Sequence, residues 1–227
     1  MKTDELINAP AFEKNDALFL DSLNEAISVH RDGCDFFKFL LEKNNFQKIE
    51  SLDDLEKLPY TMVNLFKYHE IITGPKKNIV LTLGSSGTSG QRSQIFLDQC
   101  SLDRVKTLAY NVHRDLGITS QKKYNYLCFT YDPAVARDVG TAFTDELLTG
   151  FTDKAEVYYT FQFDGSEFQY DEEQTLAKLK EFEISEYSTR ILGFPAFLYE
   201  LIAKHNLKLN LGEDSWVQTG GGWKQKE

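Results

Sequence analysis

Apolar residues recur at three- and four-residue steps between residues 16 and 31, with Leu20, Leu23 and Ile27 on one line and Ala26 on its flank. That spacing predicts an amphipathic helix, with Asp16 as its N-cap and Gly33 as its stop. Cys34 to Lys43 carries Phe36, Phe37, Phe39, Leu40 and Leu41, which predicts a second, largely buried helix ended by Asn44-Asn45. Ser51-Leu52-Asp53-Asp54 has the character of a capping box and opens a short helix that stops before Pro59. Thr73-Gly74-Pro75 is a turn signal. The expected division therefore falls there, with a helical region over 1–75 and an α/β core over 76–227.

Beyond the turn the period changes. Ile79-Val80-Leu81 and Leu83 form one apolar run and Gln94-Ile95-Phe96-Leu97 a second. Leu102 to Leu116 reads as a helix with Leu102, Val105, Leu108, Ala109 and Val112 on one face, capped by Ser101 and ended by Gly117. Strands are predicted at 124–130, 155–163, 189–192 and 216–219, with helices at 141–148, 172–182 and 195–205 between them. Pro195 stands in the first turn of the last helix, where its missing N–H costs nothing. Strand alternating with helix implies an α/β fold, a partly parallel sheet flanked by helices, behind an N-terminal helical appendage. Ligands in such sheets collect at the carboxyl ends of strands. Glycine-bearing segments at 84–90, 193–195 and 220–222 all follow predicted strands, and their convergence on one site is expected.

The densest of these segments is Gly84-Ser85-Ser86-Gly87-Thr88-Ser89-Gly90. Its glycines permit positive φ and close approach to a ligand. Consecutive N–H groups there can form an anion nest, and the hydroxyls add neutral donors. It does not have Walker A spacing, because Gln91 and Arg92 stand where Lys and Ser/Thr belong. It lacks the last glycine of a hydrolase elbow and the spacing of a dinucleotide fingerprint. On the residues alone, a phosphate cradle and a plain Ser/Gly turn both remain open.

Bulk properties narrow the classes. The 227 residues are 41% hydrophobic and 13% aromatic, the composition of a globular protein. A formal charge of −10 argues against general nucleic-acid or anionic-membrane binding. Cys34, Cys100 and Cys128 form no C-x-x-C pair, which speaks against a disulfide framework or zinc site and for a reducing cytoplasm. No apolar run approaches the ~18 residues of a membrane span, and the first residues carry no signal-peptide core. His30, His69, His113 and His205 lack metal-ligand spacing and read as surface or packing residues. The acidic run Asp164 to Glu173 reads as a solvated loop and helix start.

Ser85-Ser86-Gly87-Thr88-Ser89-Gly90 resembles the phosphate loop of adenylate-forming enzymes, and the continuation Ser93-Gln94-Ile95 resembles the acyl-protein synthetases of the LuxE type. Leu65-Phe66-Lys67, Gly193-Phe194 and Gly220-Gly221-Gly222-Trp223-Lys224 match that family in order, so the resemblance spans roughly residues 59 to 224. It implies ATP-dependent conversion of a long-chain fatty acid to acyl-adenylate, then transfer to a protein thiol, with Mg²⁺ as cofactor. It assigns Ser85, Ser86, Gly87, Thr88, Ser89 and Gly90 to the phosphates, Gly220, Gly221 and Gly222 to the nucleotide, and Gly193 and Phe194 to the border of the acyl pocket. It also implies an acyl-CoA reductase-like protein partner. Family members continue past the point where this chain stops, so the chain is expected to be the N-terminal part of such an enzyme, with the magnesium-binding and acyl-accepting residues elsewhere. An aryl-CoA ligase of the phenylacetate–CoA ligase type and a non-catalytic nucleotide- or acyl-binding module are the alternatives.

Overall fold

The computed structural model describes residues 1–84, 93–136 and 140–221. It divides into two compact units, Met1–Ile118 and Thr119–Glu227.

In the first unit, α1 (Lys2–Asn8), α2 (Asp16–Gly33) and α3 (Asp35–Lys43) precede a 3₁₀ turn at Leu52–Lys57 and a short α4 (Leu65–Tyr68). Ile27, Leu41, Phe46 and Ile49 form the small core of α2, α3 and the segment after them. Asn24 fastens that segment, donating to the Ile49 carbonyl at 2.8 Å and accepting from its N–H at 2.9 Å. α1 has no buried residue. Polar ties hold it instead, with the Glu25 carboxylate accepting from Thr3 N–H and Oγ1, and Arg104 Nε donating to Asp4 at 2.8 Å. The unit ends with an antiparallel pair, β1 (Ile79–Gly84) and β2 (Gln94–Asp98), followed by α5 (Gln99–Asp115).

Three expectations need correction here. α2 is capped by Asn15, whose side chain accepts from Leu18 N–H, and Asp16 lies inside the first turn. α5 is capped by Asp98, which accepts from Ser101 N–H at 2.8 Å, so Ser101 is a donor rather than the cap. α3 is not largely buried: Leu41 alone is, and Phe39 is 59% exposed. The predicted capping box does form, as the Asp54 carboxylate accepts from Ser51 N–H at 2.9 Å and from Glu50 N–H at 3.0 Å.

The second unit is a five-stranded sheet in the order β5-β4-β3-β6-β7. Its strands are β3 (Lys123–Tyr131), β4 (Asp153–Phe163), β5 (Phe168–Tyr170), β6 (Thr189–Gly193) and β7 (Trp216–Thr219), linked through α6 (Gly140–Thr149), α7 (Glu172–Glu183) and α8 (Pro195–His205). β4, β3, β6 and β7 run parallel, and β5 is antiparallel. β3 is the centre and is buried from Tyr124 to Thr130. Side chains alternate across it. Leu127, Phe129 and Ile191 face α7 and α8 with Leu179, Phe182 and Leu201. Tyr124, Tyr126, Cys128 and Leu192 face α6 with Leu148. From β3 the chain moves one way through α6 to β4, and then returns across β3 through α7 to β6. The change of direction beside β3 opens a crevice at the carboxyl ends of β3 and β6.

β5 was not expected. The acidic run is a hairpin in which Asp164 accepts from Ser166 N–H at 2.8 Å and Glu167 N–H at 2.9 Å. The run also ends as predicted, with Asp171 capping α7.

A candidate ligand site at the strand ends

Two of the three glycine-bearing segments meet. Gly193, Phe194, Gly220 and Gly221 line one cavity of about 220 Å³ at the carboxyl ends of β6 and β7, closed on the third side by Thr144, Asp145 and Leu148 of α6. The expected third member is not on this sheet, because Gly84 ends β1 in the separate antiparallel pair. Ser85 to Gly90 lie outside the described residues, as do Arg92, Gly222, Trp223 and Lys224.

Each glycine at the cavity has its own physical reason. Gly193 has φ +109°, and a Cβ there would sit 2.5 Å from the Phe129 carbonyl oxygen. The same carbonyl accepts from Phe194 N–H at 3.0 Å, and Gly193 O accepts from Gly220 N–H at 3.0 Å. The exit of β6 is thus pressed against β3 on one side and tied to β7 on the other. Gly221, at φ +83°, would bring a Cβ to 3.0 Å from the Phe194 ring. At Gly220 a Cβ would meet nothing within 4 Å, so there the bare backbone faces open space. Phe194 itself is 1% exposed and packs edge-on against Phe161 and Tyr131, making it core and cavity wall at once.

Asp145 is the residue that sequence reasoning missed. It is 7% exposed, and burial pushes its carboxyl up to about 7, with the Thr130 hydroxyl working in the opposite direction. Burial of a carboxylate without a cation favours the protonated form. A signal was present: Asp145 stands three and four positions before Leu148 and Thr149, both buried, which places a carboxyl on the core-facing stripe of α6. No lysine, arginine or histidine lines the cavity among the described residues. Beneath it, burial also pushes up the Cys128 thiol. This donor set suits an uncharged ligand group better than a phosphate.

The other described sequence candidates are not among the residues that line this cavity. Lys67 lies in α4 of the first unit. His30, His113 and His205 bond Thr73, the Ala109 carbonyl and Glu172, and no group of three His, Cys, Asp or Glu side chains among the described residues is placed to hold a metal ion. No helix among the described residues is long and apolar enough to cross a membrane.

A mostly parallel five-stranded sheet flanked by helices defines an α/β protein. A family profile described as "Acyl-protein synthetase, LuxE" matches residues 6–227, and the chain belongs to that family. It is similar to two proteins called long-chain-fatty-acid–luciferin-component ligase. The one from Vibrio harveyi is 25% identical over 181 residues, covering 78% of this chain and 46% of the relative. The one from Aliivibrio fischeri is 23% identical over the same shares of the two chains. The chain thus spans about half the length of these curated relatives.

Proposed function

We propose that this chain supplies the nucleotide- and acyl-binding part of a cytoplasmic acyl-protein synthetase that activates a long-chain fatty acid with ATP. A carboxylate oxygen attacks the α-phosphorus, the bond to the β-phosphate breaks, and acyl-adenylate and pyrophosphate form. A protein thiolate then attacks the acyl carbon and AMP leaves. Both reactants of the first step are anionic, so positioning and charge neutralisation dominate it. The observation that carries the reading is the meeting of Gly193-Phe194 and Gly220-Gly221 at one cavity in a chain of this family.

The parts divide by chemistry. Ser85 to Gly90 cradle the β- and γ-phosphates, whose charge Mg²⁺ would help to neutralise. The cavity of about 220 Å³ lies below the ~300–1,000 Å³ usual for a whole small-molecule ligand. It takes one moiety, and its glycine backbone admits a flat ring. Phe194 belongs to a wall of rings with Phe161, Tyr131 and Phe197, an apolar border suited to an alkyl chain. An acyl-CoA reductase-like protein is the natural consumer of the acylated product.

The test is fatty-acid-dependent exchange of labelled pyrophosphate into ATP, run with this chain and with a panel of acids, with and without CoA. Exchange that requires a long-chain acid and ignores CoA supports the reading. CoA-dependent turnover of aryl acids would move it to an aryl-CoA ligase. Saturable ATP binding with no exchange for any acid would leave a binding module.

A further inference from the structure

The cavity at the ends of β6 and β7 has one ionisable side chain, Asp145, and no opposing cation among the described residues. Phosphates and a fatty-acid carboxylate are poor occupants of such a place. A planar, neutral group bearing hydrogen-bond donors and acceptors is a good one. Gly220 lines the cavity and a Cβ there would meet nothing within 4 Å, and Gln218 and Thr219 line the wall beside it.

We propose that Asp145 is the residue that reads the base of the bound nucleotide, as a neutral carboxylic acid that donates its O–H to a ring nitrogen and accepts from the amino group beside it. The inference rests on the reading of the chain as nucleotide-using. A protonated carboxyl is both donor and acceptor, whereas an ionised one only accepts. Adenine presents an amino donor next to a ring-nitrogen acceptor, the pattern that a side-chain amide also matches. Guanine presents two adjacent acceptors on one edge and adjacent N–H donors on the other, and the latter suit a carboxylate. The protonation state of Asp145 therefore sets adenine against guanine.

The surroundings support a neutral acid. Asp145 is 7% exposed, and its carboxyl is pushed up to about 7 by burial. Cys128 and Thr130 face it from β3 and Tyr159 from β4, with the thiol and the phenol both pushed up by burial. Among the described residues, the charged groups nearby are Glu146 on the same helix, Asp132 after β3 and Lys154 at the start of β4. None of these three lines the cavity.

The test is equilibrium binding of ATP and of GTP to the 227-residue chain between pH 5.5 and 8.5, for the parent, Asp145→Asn and Asp145→Ala. The parent should prefer ATP by ~10- to 100-fold at low pH, the worth of one paired edge, with ATP affinity falling as pH rises through about 7. Asp145→Asn, which keeps a neutral donor and acceptor, should retain the preference and lose the pH dependence. Asp145→Ala should lose both. ATP binding that is identical in all three proteins and flat with pH overturns the role of Asp145 while leaving the proposed function standing. Absence of ATP binding at every pH, with all three folded by circular dichroism, overturns both.

Discussion

Asp145 and Arg190 are buried on the same face of one sheet, near its opposite ends, and they meet burial in different ways. Arg190 is 3% exposed and has no carboxylate ion pair among the described residues, yet its guanidinium stacks 3.6 Å from the centre of the Tyr124 ring and 5.1 Å from that of Trp216. Its Nη1 lies 3.4 Å from the Tyr126 hydroxyl, a long contact. Ring faces offset desolvation of a cation, and the amino end of the sheet is closed around it. Among the described residues no cation lines the cavity beside Asp145, and burial pushes its carboxyl up to about 7. The cavity lies on its side of the sheet. A buried charge that is stacked builds the fold, while a buried acid beside a cavity is a candidate for ligand contact.

The comparison can be broken at four places, from the largest expected effect to the smallest. Gly193→Val forces a side chain into the Phe129 carbonyl at a φ of +109°, and both faults act on the central strand pair. It should cost more than ~4 kcal/mol, the range of severe core defects, read as a lower urea midpoint with an unchanged slope. A midpoint within error of the parent would show that β6 can move away from β3.

Asp145→Asn comes next. The folded carboxyl titrates above its unfolded value of 3.8, so the folded state holds the proton more tightly. Parent stability is then greatest at low pH and falls as pH rises from about 4 to about 7. The amide avoids that loss. The variant should be more stable than the parent at pH 8 by up to ~4 kcal/mol, with the gap closing toward pH 4. A gap of constant size would mean that Asp145 does not titrate in that window.

Arg190→Ala should cost ~2–3 kcal/mol through lost stacking and packing, by nearly the same amount at pH 5 and pH 8. A strong pH dependence there would erase the contrast between the two ends. Gly220→Ala should change stability by less than ~0.5 kcal/mol, since its Cβ meets nothing within 4 Å. Because Gly220 lines the cavity, the same methyl should weaken nucleotide binding. Unchanged binding would place the ligand away from β7.

Much of the second unit was legible because its elements have clear periods. The apolar run Tyr126 to Phe129 in β3 and the alternation of β4 (Val157, Tyr159, Phe161 and Phe163) each indicate a strand. β5 was hidden because its three residues sit between acids and owe their state to pairing with Phe161 to Phe163. α1 was hidden because side-chain ties, not an apolar stripe, hold it. The caps of α2 and α5 moved toward the N-terminus because the cap must present an oxygen to N–H groups two or three residues ahead. Gly193 and Gly220 look alike in sequence, and only the neighbouring strand shows that one is a steric necessity and the other an open wall. In the sequence Asp145 is one acid in a predicted helix, and its burial beside the cavity shows only in the structure. The Ser85–Gly90 loop remains a proposal from resemblance.

The most direct test of the central claim is photolabelling with 8-azido-ATP, whose reactive group sits on the base, followed by mass-spectrometric mapping. Label on the segments carrying Asp145, Gly193 or Gly220, displaced by excess ATP, is the predicted result. Displaceable label confined to residues 1–118 would contradict the assignment of the strand-end cavity to the nucleotide base.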